Sequence, residues 1–338
     1  MKRMIHQTMQ WVSAVLVALV ICNGLLFLYN RPAGWINRTN SSTNSIWYPG
    51  SFILHGTEGR GFHSVDQNGY INIDLPCQAD YCVVIGASYT QGKEVASGKR
   101  FTDILNDKLA VHSNALAVYN CSQDGYYFPD IVKNFYAITQ EFSNAGTLVI
   151  EIGSMNFSSL QLLDSLTQNG FDENQTGKNI VSQLSPLKKL SIKVKELLPV
   201  YTIFRNQIIA YRNSSAPQMK ASEKSADSDA SYAAFDKTLS LIRAEWDKEL
   251  IIIYHPSIEI GEDGSLHIIR ENAVDVESFG RLCSKNNIIF IDVSDDFIKS
   301  YAQNYAVPYG YSNTRMGSGH LNADGHKVIA DALYEILK

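Results

Sequence analysis

Hydrophobic and polar positions follow three regimes along the chain. Near the start, the nineteen residues from Trp11 to Tyr29 carry no charge, a length that crosses a bilayer as a helix. From residue 81 onward, short apolar runs alternate with helical stripes. The runs are Cys82–Ile85, Leu116–Tyr119, Leu148–Ile152, Leu250–Tyr254 and Ile288–Ile291. They lack polar alternation, which reads as strands buried on both faces. The stripes are Phe101, Ile104, Leu105 and Leu109; Ile131, Phe135, Ile138 and Phe142; Val274, Phe279 and Leu282; and Val328, Ile329, Ala332, Leu333 and Ile336. Strands alternating with helices predict an α/β, three-layer α/β/α domain on a mainly parallel, doubly wound sheet. Between residues 160 and 245 the rhythm breaks. Helical stretches at Leu187–Leu198 and Tyr201–Tyr211 are followed by 213–231, rich in Ser, Ala, Asp and Lys. This reads as a helical insertion beside the sheet, with a flexible loop.

These regimes divide the chain into a membrane anchor (1–30), a polar tether (31–45) and a domain (46–338). Lys2 and Arg3 ahead of the apolar segment favour an inside N-terminus, although Arg31 and Arg38 weaken the bias. Asn30-Arg31-Pro32 offers no A-x-A-like cleavage site, so the expectation is an uncleaved single-pass transmembrane helix with the domain extracytoplasmic. Within the domain, Asn68-Gly69 before Tyr70-Ile71-Asn72-Ile73 signals a hairpin.

The net charge of −5 and pI near 5.9, with no basic stripe, argue against a nucleic-acid partner. Hydrophobic content of 45% with 19% charged residues is ordinary for a globular protein. Cys77 and Cys82 are close enough to bridge in an oxidising compartment, while Cys82, Cys121 and Cys283 read equally as small buried apolar residues. No cysteine or histidine spacing suits zinc, so no metal and no cofactor are expected.

Candidate chemistry gathers at strand ends. Gly86-Ala87-Ser88-Tyr89-Thr90-Gln91-Gly92 follows the first buried run, so Ser88 falls at a strand's carboxyl end, where open α/β sheets bind ligands. A helix starting there would present free N–H groups to negative charge, and the plain alternative is an N-cap serine. Asp124-Gly125-Tyr126, Gly153-Ser154-Met155-Asn156 and Gly317-Ser318-Gly319-His320 follow later strands or precede the last helix. A serine, a glycine N–H, an asparagine amide and a histidine are what acyl transfer needs.

In this order the four blocks resemble the SGNH (GDSL-type) hydrolase family, in the manner of its membrane-anchored bacterial members. The resemblance runs from about Ile85 to the C-terminus and implies a flavodoxin-like sheet. It further implies Ser88 as nucleophile, His320 as base, and an oxyanion hole of Ser88, Gly125 and Asn156. Two positions depart from the family pattern: Ala87 stands where an Asp usually precedes the serine, and Gly317 and Ser318 stand where an Asp usually precedes the histidine. The catalytic unit expected is therefore a Ser–His dyad. Asp324 reads as a helix N-terminal charge, and His326 as a packing residue. Tyr89, Tyr126, Tyr127 and His255 are candidate substrate contacts, and wall packing explains the tyrosines as well. The function implied is an extracytoplasmic serine esterase or O-acyltransferase acting on acyl, for instance acetyl, esters of carbohydrate. The alternative is a degenerate member that binds acylated glycan or assists envelope polysaccharide assembly without catalysis.

Overall fold

The computed structural model describes residues 1–31, 33–38, 42–72, 80–111, 116–167, 181–182, 184–200, 228–270 and 272–338. The apolar N-terminal segment is a single helix, α1 (Lys2–Tyr29). It is long and apolar enough to cross a membrane, and none of that span is buried in the protein. Four short strands follow: β1 (Trp35–Asn37) pairs antiparallel with β2 (Ser45–Trp47), and β3 (Phe52–His55) with β4 (Gly61–Ser64).

The alternating region folds as its pattern predicts. It contains β5 (Tyr81–Ile85), α2 (Ser88–Gln91), α3 (Phe101–Leu109), β6 (Val118–Asn120), α4 (Phe128–Lys133), α5 (Phe135–Glu141) and β7 (Ala145–Ile152). The helices α6 (Ser159–Ser165), α7 (Pro186–Leu197) and α8 (Ser228–Glu245) come next. Then follow β8 (Glu249–Tyr254), a hairpin of β9 (Ser257–Ile260) and β10 (Leu266–Ile269), α9 (Val276–Lys285), β11 (Ile289–Asp292), α10 (Ser294–Asn304) and α11 (Ala323–Leu337). The central sheet has the order β11-β8-β7-β5-β6, with every pair parallel. From β5 the chain winds first to β6 and then back across to β7. The strand order thus reverses at β5, and the carboxyl ends of β5 and β7 frame the crevice where such sheets bind ligands.

The apolar runs are buried because both sheet faces are covered. Val83, Ile85, Leu148, Ile150 and Ile252 pack into one core with α4, α5, α8 and α9, while Cys82, Val84, Val149, Ile251 and Ile253 pack against α3, α10 and α11 on the other side. The stripe from Ile131 to Phe142 is broken into α4 and α5 at Asn134, which caps one helix and opens the other.

Among the described residues of 31–45, Arg31, Ala33, Ile36, Arg38, Ser42 and Thr43 are buried, where the sequence suggests a polar tether. Strand β1 is paired, and the buried Arg38 donates to Glu141 on α5 at 2.8 Å, because an arginine so enclosed needs a carboxylate. Asn68-Gly69 forms a tight turn in which Asp66 Oδ1 accepts the N–H groups of Asn68 and Tyr70; residues 70–72 are not in a strand, and Ile73 lies outside the described residues. The hairpin nearby is β3–β4. Cys82, Cys121 and Cys283 are free and buried, whereas Cys77 lies outside the described residues. So do Tyr201–Tyr211 and most of the loop expected at 213–231, whose last residues belong to α8.

Candidate active site

β5 ends at Ile85, and Gly86 and Ala87 lead directly into α2, whose first residue is Ser88. The first N–H groups of a helix have no carbonyl partner within it, so the serine stands where backbone donors are free. Gly86 is required by crowding: a Cβ there would lie 2.4 Å from Glu151 Oε2 and 2.5 Å from Thr90 Oγ1. Glu151, fully enclosed on β7, accepts from the Ala87 N–H at 3.0 Å and the Thr90 hydroxyl at 2.8 Å. The turn carrying Ser88 is therefore held from beneath by a buried carboxylate. Burial pushes that carboxyl up, but facing His255 and receiving the Thr90 and Ala87 hydrogen bonds outweighs this, holding it below the usual range.

His320 comes from the loop before α11. Its Nε2 meets Ser88 Oγ at 3.0 Å, so the hydroxyl can donate to the ring. Its Nδ1 meets Glu58 Oε2 at 2.7 Å, and its backbone N–H donates to Glu58 Oε1 at 2.7 Å. The dyad expected from the sequence is thus a three-residue chain, Ser88–His320–Glu58. Gly317 and Ser318 supply no acid; Ser318 instead donates to the Arg315 carbonyl at 3.2 Å. The carboxylate comes from the β3–β4 turn, 262 residues earlier in the chain. Burial raises the Glu58 carboxyl, but the His320 backbone and ring hydrogen bonds more than offset it, leaving Glu58 below the ordinary carboxylate range. Glu94 is a second carboxylate nearby, 3.9 Å from Nδ1 and beyond hydrogen-bond reach. Its burial pushes its own carboxyl up.

Two local devices bring Glu58 to the histidine. Gly319 has φ +85, and a Cβ there would stand 2.2 Å from Glu58 Oε1. Asn313 ties the two loops together, accepting the Gly59 N–H at 2.9 Å and donating to the carbonyls of Gly56 at 3.1 Å and Gly59 at 3.2 Å. Sequence reading passed over Glu58 because its partner is remote. The one local signal was the run of glycines at 56, 59 and 61 around it.

A small cavity of about 180 Å³ opens beside Ser88. Ala87 and Tyr89, the two neighbours of Ser88, line it with Tyr126, Tyr127, Gly153 and Ser257 among others. The three tyrosines expected as substrate contacts therefore reach its wall, although the Tyr126 hydroxyl is engaged with the Ser42 carbonyl at 2.5 Å. His255 is different. Its Nε2 meets Glu151 at 2.7 Å and its Nδ1 meets the Tyr309 hydroxyl at 2.7 Å, so both ring nitrogens are occupied inside the fold. It acts on the site by holding Glu151, and is corrected from a substrate contact to a structural partner. Gly125 is exposed, with φ +73, in the turn after β6. Asn156 is exposed beyond β7, its N–H bonded to Ser154 Oγ at 3.0 Å, and it is not part of the cavity wall. His326 is buried and accepts the Phe101 N–H at 3.2 Å, as expected of a packing residue. Asp324 lies in the first turn of α11, capped by Asn322. No group of ligand residues suited to a metal occurs among the described residues.

No protein-family model and no curated protein matches this chain. Solved structures do. A lipase/acylhydrolase from Enterococcus faecalis is 13% identical with a TM-score of 0.41, covering 76% of this chain and 95% of its own. The acetyl xylan esterase AlAXEase is 14% identical with a TM-score of 0.38, covering 76% of this chain and all of its own. A protein from Veillonella parvula, 13% identical with a TM-score of 0.36, covers 76% of this chain and 98% of its own. These are similarities of overall arrangement. The Veillonella protein is a member of the lipolytic protein G-D-S-L family.

Proposed function

We propose that this protein is a membrane-anchored, extracytoplasmic serine esterase or O-acyltransferase of the SGNH type. The Ser88–His320–Glu58 chain of hydrogen bonds carries the reading. In this mechanism Ser88 Oγ attacks the ester carbonyl while its proton passes to His320 Nε2. Glu58 accepts from Nδ1–H, fixing the tautomer that leaves Nε2 free to receive the proton, and it stabilises the imidazolium that forms. The same Nε2 proton goes to the departing alkoxide, leaving an acyl group on Ser88. Attack by water completes hydrolysis, and attack by a sugar hydroxyl completes transfer. The N–H groups of Ser88 and Gly125 and the side chain of Asn156 hold the oxyanion. On the precedent of losing one oxyanion donor, Asn156→Ala lowers kcat by about 10²–10³, and unchanged steady-state kinetics would remove Asn156 from the site.

Carbohydrate acyl esters are the substrate class in this reading, following the family resemblance and the small, tyrosine-walled cavity, which suits a short acyl group. The non-catalytic alternative rests on Ala87 and on the missing acid before His320, and the Glu58–His320 contact counts against the second of these. The test is incubation of the full chain with a fluorophosphonate probe. A mass adduct on the wild type, absent from Ser88→Ala and His320→Ala, is expected. A folded wild-type protein that stays unlabelled would return the protein to the glycan-binding reading.

A further inference from the structure

The helix α7 has two faces of opposite character. Its inner face carries Ile192 and Glu196, both buried. Glu196 accepts from the Gly34 N–H at 3.1 Å and pairs with the Arg31 guanidinium at 3.4 Å. Ile192 packs so closely on Gly34 that a Cβ there would lie 2.1 Å from its Cγ2. The inner face is therefore docked on the residues that immediately follow α1.

The outer face is apolar and uncovered among the described residues. Leu187, Leu190, Val194 and Leu197 are 79%, 61%, 43% and 57% exposed. Their spacing puts them on one stripe of the helix. Lysines flank that stripe on both sides: Lys188 and Lys195 along one edge, Lys193 along the other. Lys188 and Lys195 have no carboxylate partner among the described residues. An apolar stripe edged by lysines is the pattern of a helix lying in a membrane interface.

The depth agrees. At the end of α7 the Leu197 carbonyl accepts from the Asn23 side-chain amide at 2.9 Å, and Asn23 lies within the apolar span of α1. Asn23 precedes Tyr29 by six residues, which is about 9 Å along the helix axis. Interfacial helices bury their apolar face about 5–10 Å into the headgroup and acyl boundary. An amide that would be unsatisfied in hydrocarbon finds its partner at that level.

We propose that α7 is an interfacial helix, its Leu187–Leu197 stripe seated in the bilayer beside α1 and Lys188 and Lys195 at anionic headgroups. This rests on α1 being a membrane anchor and is independent of the ester chemistry. α7 then gives the domain a second attachment and fixes its orientation on the membrane, which a single helix cannot do.

The test uses the full chain in nanodiscs whose phosphatidylcholine carries brominated acyl chains, with or without phosphatidylglycerol. In one protein, with Cys77 changed to serine, a bimane label sits on native Cys22, reporting α1. In a second, with Cys22 and Cys77 changed to serine, Val194→Cys carries the label. Both labels are expected to lose most of their emission, and phosphatidylglycerol is expected to deepen the quenching at position 194. Changing Lys188 and Lys195 to glutamine should remove that lipid dependence. A quenched Cys22 label beside an unquenched position 194 overturns the proposal, whether the stripe is then free or covered by protein. If neither label is quenched, the anchor reading falls, and the interfacial helix with it.

Discussion

At the scale of single residues, the chemistry depends on how a carboxylate reaches a histidine. Glu58 satisfies both the ring and the backbone N–H of His320, which fixes the loop as well as the tautomer. Glu58→Gln keeps the shape but not the charge. By analogy with the loss of the acid in serine-protease triads, its kcat should fall by about 10³–10⁴. Near-wild-type turnover of a chromogenic acyl ester by that variant would show that the ring needs no acid. Gly319→Ala should act in the same direction for a steric reason, since its Cβ collides with Glu58 and its φ of +85 disfavours a side chain. Retained folding by circular dichroism with lost turnover is the expected pair of results. Ser88 and His320, which the fold brings to 3.0 Å from each other, were legible in the sequence because each sits in a short block of small or polar residues after or before a recognisable element. Glu58 and Glu151 were not, since an isolated glutamate carries no mark of its partner.

At the scale of elements, the strands and helices from β5 onward were readable because burial on both sheet faces leaves uninterrupted apolar runs. The hairpin β9–β10 and the helix α10 were missed. β9 and β10 bury only one residue each and so lack a long apolar run. The segment 31–45 misled for the opposite reason. Two of its polar residues are buried and paired: Arg38 with Glu141, and Ser42 with both Glu141 and Tyr70. Removing one member of a buried ion pair typically costs about 3–5 kcal/mol, so Arg38→Ala should lower the denaturation midpoint by a corresponding amount. An unchanged midpoint would mean that the segment is a tether after all.

At the scale of the whole molecule, buried histidines make stability depend on pH. Burial first, and the Arg100 charge second, hold His63 down to about 4 and His326 down to about 3. Burial and Lys93 hold His55 down to about 4. In the unfolded chain these rings take up protons near pH 6.5. Between that value and their folded values the unfolded state binds more protons, so stability rises with pH across the window. The midpoint of urea unfolding should therefore fall steadily from about pH 6.5 to about pH 4. A flat profile over that range would show that these rings are hydrated in the folded protein.

The sequence by itself determined what periodicity and local composition control: an uncharged span of bilayer length, the alternation that makes a parallel sheet, and the serine at the end of its first strand. Tertiary structure alone decided which charges meet. Glu58 reaches His320, Glu151 reaches the turn beneath Ser88, and Glu196 reaches Arg31 only because the fold brings distant segments together. The physical reason is the difference in range. Backbone periodicity is set by neighbours a few residues away, and so it is written locally. The partner of a buried charge is set by whichever surface happens to enclose it, and no stretch of sequence records that.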